Sequence, residues 1–259
     1  MLETILANKR LEVAALRAQS SIESFNKVIA NLPPTRNLRA AIRGTSGTAI
    51  IAEIKRQSPS GGILKANLDP RETAVRYRSA GASALSVLTD EKFFGGSLDD
   101  LCRVRQAVDL PILRKDFIID DLQVLQSRAA GADAVLLIVA ALDRNMLSAL
   151  FRIATETGLE ALVEVHTEAE AGLAVDIGAE LIGINNRDLH TFEIDLSVTA
   201  RLAPLLPKNV TIVSESGMSS ARDIAFARQS GAHAVLVGHH LMTSDDPAAS
   251  LQALMESRP

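Results

Sequence analysis

At 259 residues, 47% hydrophobic and 22% charged, the chain can bury a large core and shows neither a disordered tail nor a low-complexity linker. Its formal charge of -4, with the signs mixed, provides no long basic face for nucleic acid, and aromatics at 3% supply few platforms for stacking bases, so a small-molecule partner is expected. A single cysteine, Cys102, excludes an internal disulfide framework and a Cys-rich zinc site and fits a reducing cytoplasm.

Residues Met1 to Arg10 interleave acid and base with apolar positions, which predicts an amphipathic helix rather than a signal peptide. Leu2, Ile5, Leu6, Leu11, Val13, Ala14 and Leu16 give a helical pattern that Pro33-Pro34 then blocks, so residues 1–45 are read as an N-terminal helical extension. From there the rhythm changes. Short β-branched or leucine-rich runs fall at 48–54, 84–88, 111–114, 134–139, 160–165, 181–185, 210–214 and 234–237, separated by segments of helical length such as 70–80, 98–108, 121–130, 143–157 and 219–230. Cys102 lies in one of these with Leu101, Val104 and Val108 at helical spacing, and reads as a buried helix thiol rather than a nucleophile.

Strands alternating with amphipathic helices imply parallel pairing with right-handed crossovers. Gly81-Ala82, Gly131-Ala132, Gly178-Ala179 and Gly231-Ala232 each stand just ahead of a strand, where a glycine closes the last helical turn in the left-handed conformation. A doubly wound open sheet would show the same local units. Eight near-uniform ones without a glycine-rich dinucleotide turn favour a (β/α)8 TIM barrel over 46–259, forming with the extension a single α/β domain over 1–259. No apolar run reaches the roughly 18 residues of a membrane span, so no membrane partner is expected.

In such barrels the chemistry sits at the C-terminal ends of the strands. Glu53 and Lys55 interrupt the first run two residues apart, so they share one face, and Ser58-Pro59-Ser60 stops it. The third run ends in Lys115-Asp116-Phe117, the fifth contains Glu164, the sixth ends in Asn185-Asn186-Arg187-Asp188, the seventh in Ser214-Glu215-Ser216-Gly217 and the eighth in Gly238-His239-His240. Any one of these alone reads as a solvated strand end or a core ion pair. Six of eight converging on one mouth would gather at least three carboxylates and two lysines, where burial and neighbours shift pKa values toward acid-base use.

Ser216-Gly217 and Gly238 follow the seventh and eighth strands, the positions where barrels hold a phosphate on backbone N–H groups. No Ser-His-Asp, Cys-His or HExxH arrangement stands at a usable spacing, and His166, His190, His233, His239 and His240 are too scattered to predict a metal site.

Ile50-Ile51-Ala52-Glu53-Ile54-Lys55-Arg56 with Ser58-Pro59-Ser60, Pro111 to Ile118, Asn185-Asn186-Arg187-Asp188-Leu189 and Ser214-Glu215-Ser216-Gly217 closely resemble the indole-3-glycerol-phosphate synthase family of tryptophan biosynthesis. The resemblance runs over nearly the whole chain, including the extension and the Asp90 to Ser97 loop. It implies a cofactor-free carboxy-lyase acting on 1-(2-carboxyphenylamino)-1-deoxyribulose 5-phosphate by ring closure, decarboxylation and dehydration. By matched position it implies Lys115 as the general acid for ring closure and Glu164 as an acid-base carboxylate for the dehydration. Glu53 and Glu215 would stabilise the cationic intermediate and orient the lysines. Lys55 and Ser58 would contact the anionic parts of the substrate, with Lys55 sharing the proton work, and Asn185 and Arg187 would position it. Ser216, Gly217 and Gly238 resemble the phosphate cradle, and Phe94 and Phe117 are natural walls for the aromatic ring.

Two departures stand out. Gln57 takes a flanking place usually held by Ala, Ser, Thr or Lys, and His239-His240 replace the small hydroxyl residue after the last glycine. His239 is then either a variant phosphate contact, through its backbone N–H or an imidazolium, or a solvent-facing change that leaves room for a paralogue with altered substrate. A neighbouring-pathway isomerase is disfavoured, since it needs a Cys-Asp pair at strand ends and Cys102 lies mid-helix. A non-catalytic phosphate-binding subunit would not need so many proton-transfer groups. The expected protein is cytoplasmic, a monomer or weak homo-oligomer, with a small phosphorylated substrate and neither nucleic acid nor membrane as partner.

Overall fold

Helix α1 (Leu2–Gln19) turns Ile5, Leu6, Lys9 and Val13 inward, the adjacent first pair followed at three- and four-residue steps along a single stripe. Leu11, expected on that apolar stripe, falls on the far side of the helix and is 72% exposed. A capping box between Ser21 and Ser24 starts α2 (Ile22–Ile29), and Asn37 caps α3 (Leu38–Arg43) once the Pro33-Pro34 break has passed. The computed structural model describes residues 1–189 and 191–256; His190 and residues 257–259 lie outside them.

Eight strands follow: β1 (Ala49–Ile54), β2 (Ala84–Leu88), β3 (Ile112–Lys115), β4 (Ala134–Ile138), β5 (Glu160–Val165), β6 (Leu181–Asn185), β7 (Thr211–Glu215) and β8 (Ala234–Val237). Each pairs in parallel with its neighbours in chain order, and β1 pairs with both β2 and β8, which closes the barrel. Strands covered on both faces read as continuous apolar runs, and their observed limits depart from the sequence expectation by one residue at most.

Between and after them lie α4 (Pro70–Ser79), α5 (Glu91–Phe94), α6 (Leu98–Ala107), α7 (Asp121–Ala129), α8 (Arg144–Glu156), α9 (Glu168–Asp176), α10 (Ser197–Leu202), α11 (Ala221–Gln229), α12 (His239–Thr243) and α13 (Pro247–Glu256). Gly81, Gly131, Gly178 and Gly231 do take positive φ at helix ends, from 82° to 104°. Cys102 lies on α6 but only half-buried, its Sγ 3.6 Å from the Ala130 carbonyl, and burial raises its pKa first, helped by Asp99.

Alternation along the strands divides the core in two. Outward residues such as Leu85, Val87, Val163 and Val165 pack against the helices. Inward residues Ala49, Ile51, Ala84, Leu113, Leu136, Leu162, Leu181 and Val213 fill the lower lumen together with Leu38 and Ile42 of α3. Helix α3 therefore plugs the N-terminal end of the barrel, each of these two fully buried side chains contributing roughly 1.5–3 kcal/mol. The Glu160 carboxylate accepts from the Leu38 and Arg39 N–H groups and from the Arg39 guanidinium, which fixes the plug at its helix N-terminus. With the lower lumen filled by apolar groups, polar chemistry is left to the upper end alone. A short antiparallel hairpin, Gln57–Ser58 against Gly62–Ile63, rises there where a simple Ser-Pro-Ser stop was expected.

Candidate active site

At the upper end, Glu53, Lys115, Glu164, Asn185 and Glu215 stand at or one step from the ends of β1, β3, β5, β6 and β7 and border a cavity of about 450 Å³. Lys55, Ser58, Phe94, Phe117, Arg187, Ser216, Gly217, Gly238 and His239 border the same cavity, so every site residue expected from the sequence is brought to one place.

Charge is concentrated on one side. The Lys115 ammonium lies 3.1 Å from Glu164 Oε2 and 3.3 Å from Glu215 Oε2, with all three side chains buried or nearly so. Burial alone would lower the Lys115 pKa, but Glu164, Glu215 and Glu53 outweigh it and raise it, so the amine carries its proton in the free site. Burial works on Glu164 in the opposite sense, raising it, and Lys115, His166 and the Asn185 amide, donating at 3.2 Å, bring it below the ordinary range. Glu215 has fewer compensations. Burial pushes it up to about 8, with Lys115 opposing and Glu164 and Glu53 adding to the rise. Its Oε1 is buried without a hydrogen-bond partner. The two glutamates facing one lysine thus separate into an ionised and a protonated carboxyl at neutral pH.

The folded protein holds the Glu215 proton more tightly than the unfolded chain, whose carboxyl titrates near 4.5, so this group costs stability progressively as pH rises from 4.5 to about 8. Glu215→Gln has no proton to lose. Its Tm relative to the wild type is expected to climb between about pH 5 and about pH 8.5 in paired thermal melts. A difference independent of pH would show that Glu215 ionises normally.

Two glycines make the carboxylates possible. A Cβ on Gly183, mid-strand in β6, would stand 2.0 Å from Glu215 Oε1, and one on Gly238 would stand 2.1 Å from Glu53 Oε1 and 3.0 Å from Lys55 Nζ. Lys55 Nζ is 2.5 Å from Glu53 Oε1, so it lies between that carboxylate and the last glycine turn. Ser216 and Gly217 both take positive φ, 67° and 87°, and Ser216 Oγ donates to Asn185 Oδ1 at 2.8 Å, tying the seventh-strand turn to the sixth strand. Across the cavity, the rings of Phe94 and Phe117 meet at 6.1 Å between centroids, tilted by 39°.

A model of the family described as indole-3-glycerol phosphate synthase matches residues 2–254. A protein so named from Chlorobium phaeovibrioides is 48% identical over 246 residues, covering 95% of each chain. One from Desulforamulus reducens is 47% identical over 256 residues, covering 98% of this chain and 97% of its own. The chain belongs to the indole-3-glycerol phosphate synthase family. It is accordingly a carboxy-lyase of tryptophan biosynthesis that forms indole-3-glycerol phosphate, carbon dioxide and water from a small phosphorylated substrate. A solved 3-hexulose-6-phosphate synthase, 16% identical with a TM-score of 0.63 over 82% of this chain and all of the other, shares the barrel fold alone.

For a synthase of this family, several residues at the site were not singled out from sequence. Met1, which precedes α1, and Leu2 and Ile5 within it border the cavity, so the extension roofs it. Lys9 behind them pairs with Asp90 at 3.0 Å and Asp116 at 2.8 Å, all three buried. A lysine on a helix otherwise reads as a solvated face, and the one available signal was its place in the stripe between Ile5 and Val13. Arg187 Nη1 reaches the Phe192 carbonyl at 3.1 Å and Ser60 Oγ at 3.4 Å, joining the sixth-strand loop to the hairpin. His239 is exposed at the rim, and burial, Lys55, Arg187 and His240 together lower its pKa, which favours an uncharged imidazole there. Among the described residues no helix is long and apolar enough to cross a membrane.

Proposed function

We propose that 1-(2-carboxyphenylamino)-1-deoxyribulose 5-phosphate lies across the cavity with its aromatic ring against Phe94 and Phe117. Its phosphate would sit at the Ser216-Gly217 and Gly238-His239 turns, and its ribulose carbonyl beside Lys115. The observation that carries this is the position of Lys115, a protonated amine within hydrogen-bond reach of Glu164 and ion-paired with Glu215 in a lumen closed from below. Attack of the ring carbon on the carbonyl forms the new C–C bond as Lys115 gives its proton to the oxygen. The cationic intermediate loses carbon dioxide, its C–C electron pair restoring the aromatic ring, and Glu53 faces the positive charge meanwhile. Departure of the hydroxyl as water takes a second proton, given by Lys55, and Glu164 takes up the ring proton whose loss completes the indole.

Lys55 and Ser58 contact the anionic groups in this reading, and Asn185 and Arg187 hold the substrate in register. Glu215, protonated in the free site, orients Lys115 rather than adding a third negative charge. His239 presents its backbone N–H to the phosphate, in place of the missing hydroxyl. A single cysteine and a net charge of -4 with mixed signs support action in a reducing cytoplasm without nucleic acid, and the proposed state is a monomer or weak homo-oligomer. The purified chain is expected to convert this substrate to a fluorescent indole, and Glu164→Gln to lower kcat about 100-fold with KM nearly unchanged. Tight binding without turnover by the wild type, or wild-type kcat in Glu164→Gln, would overturn the assignment.

A further inference from the structure

His166 stands just past the end of β5, two residues beyond Glu164, and the proposed reaction gives it no task. Its outer edge is fully engaged. Glu170, in the first turn of α9, accepts from the His166 backbone N–H at 2.6 Å and lies 3.2 Å from Nδ1, while Thr167 caps the same helix by accepting from the Glu170 N–H. These contacts alone would make Glu170 an ordinary capping residue. The inner edge is different: Nε2 is buried, makes no hydrogen bond, and lies 3.6 Å from Glu164 Oε1. The imidazole is therefore sandwiched between two carboxylates on opposite ring nitrogens, an arrangement satisfied only when both nitrogens carry hydrogen.

We propose that His166 is a positioning residue for Glu164, a charged imidazole braced from outside by Glu170 that keeps the Glu164 carboxylate ionised and turned toward Lys115 and Asn185. The groups facing it come from several elements. Glu164 is on its own strand, Glu170 on α9 and Glu215 on β7, and Lys115 on β3 lies beyond Glu164 at 3.1 Å. With Glu215 holding its proton, the two close carboxylates, Glu164 at 3.6 Å and Glu170 at 3.2 Å, against one more distant ammonium favour the imidazolium. In keeping with this, burial lowers the His166 pKa but Glu170, Glu164 and Glu215 more than restore it, and His166 is among the groups that hold Glu164 down. An imidazole that lost its proton would leave one carboxylate facing a lone pair and withdraw the positive charge beside Glu164, and that carboxylate would take up a proton at a higher pH.

The inference rests on the acid-base role proposed for Glu164, and the experiment separates the two. In the full chain, kcat and KM would be measured against pH for the wild type, His166→Asn, Glu170→Gln and Glu164→Gln, and the His166 ring nitrogens followed by NMR in the wild type and Glu170→Gln. His166→Asn is expected to lower kcat about tenfold near neutral pH with KM within about twofold, and to move the acid limb of kcat to higher pH. Glu170→Gln leaves the imidazole in place but is expected to lower the pH at which it titrates, shifting the alkaline side of the profile with it. A His166→Asn profile superimposable on the wild type, or a neutral His166 ring at neutral pH, overturns the proposal while an inactive Glu164→Gln leaves the catalytic reading standing. Full activity in Glu164→Gln would instead remove the reading on which it rests.

Discussion

Lys115→Met is expected to lower kcat about 1,000-fold, near the middle of the range for loss of a positioned general acid. Methionine keeps most of the side-chain volume but removes the only ammonium among the described residues within 3.5 Å of both Glu164 and Glu215. Glu215 already holds a proton, and Glu164, left with His166 and the Asn185 amide, takes one up at a higher pH than before, so the change removes the proposed acid and weakens the nearby base together. Saturating-substrate assays by indole fluorescence, with circular dichroism to verify the fold, would measure it. Survival of more than a tenth of the activity would transfer the acid role to Lys55, whose ammonium is held by Glu53 on the neighbouring side of the mouth.

Lys9→Met is expected to destabilise the protein by about 3–5 kcal/mol, the usual consequence of removing one partner from a buried ion pair. Lys9 is 1% exposed, and its ammonium sits between the carboxylates of Asp90 and Asp116. Asp116 retains Arg114 at 3.0 Å and Thr89, and these with Lys9 hold it down to about 2 against burial; among the described residues the Asp90 side chain retains only the Phe93 N–H it caps. Asp90 starts α5, which carries Phe94, and Asp116 accepts from the Phe117 N–H at 2.8 Å, so one lysine of the extension steadies both phenylalanines proposed to wall the substrate ring. KM should therefore rise as Tm falls, by roughly 10 °C. Glu12→Gln, which touches Lys9 from the solvent side, should change stability by less than about 1 kcal/mol. Wild-type Tm and KM in Lys9→Met would show that Arg114 and Thr89 suffice.

Much of this was legible in the chain. A strand enclosed by helices outside and packed lumen inside must be apolar on both faces, so eight short apolar runs announced eight barrel strands, and the glycines at positive φ marked where helices stop. The same logic exposed Glu53, Lys115, Glu164, Asn185 and Glu215, because a polar residue ending an apolar run requires a reason. Lys9, Gly183 and His166 offered no such contrast. A lysine in an amphipathic helix, a glycine in a strand and a histidine after one are each unremarkable locally; Lys9 and Gly183 acquire their roles from partners far along the chain or on another strand, and His166 from Glu164 and Glu170 only once the end of β5 and the first turn of α9 fold around it.

Sequence by itself determined the barrel, the end of it that holds the chemistry and the residues gathered there, since alternation and strand count are properties of local order. Only the tertiary structure decided that Glu164 is ionised while Glu215 keeps its proton, that α3 seals the lumen and that α1 roofs the cavity through a buried lysine. The physical reason is the same in each case. Charge state and burial are set by what lies within a few ångströms, and in a closed barrel those neighbours come from strands and helices that the linear order holds apart.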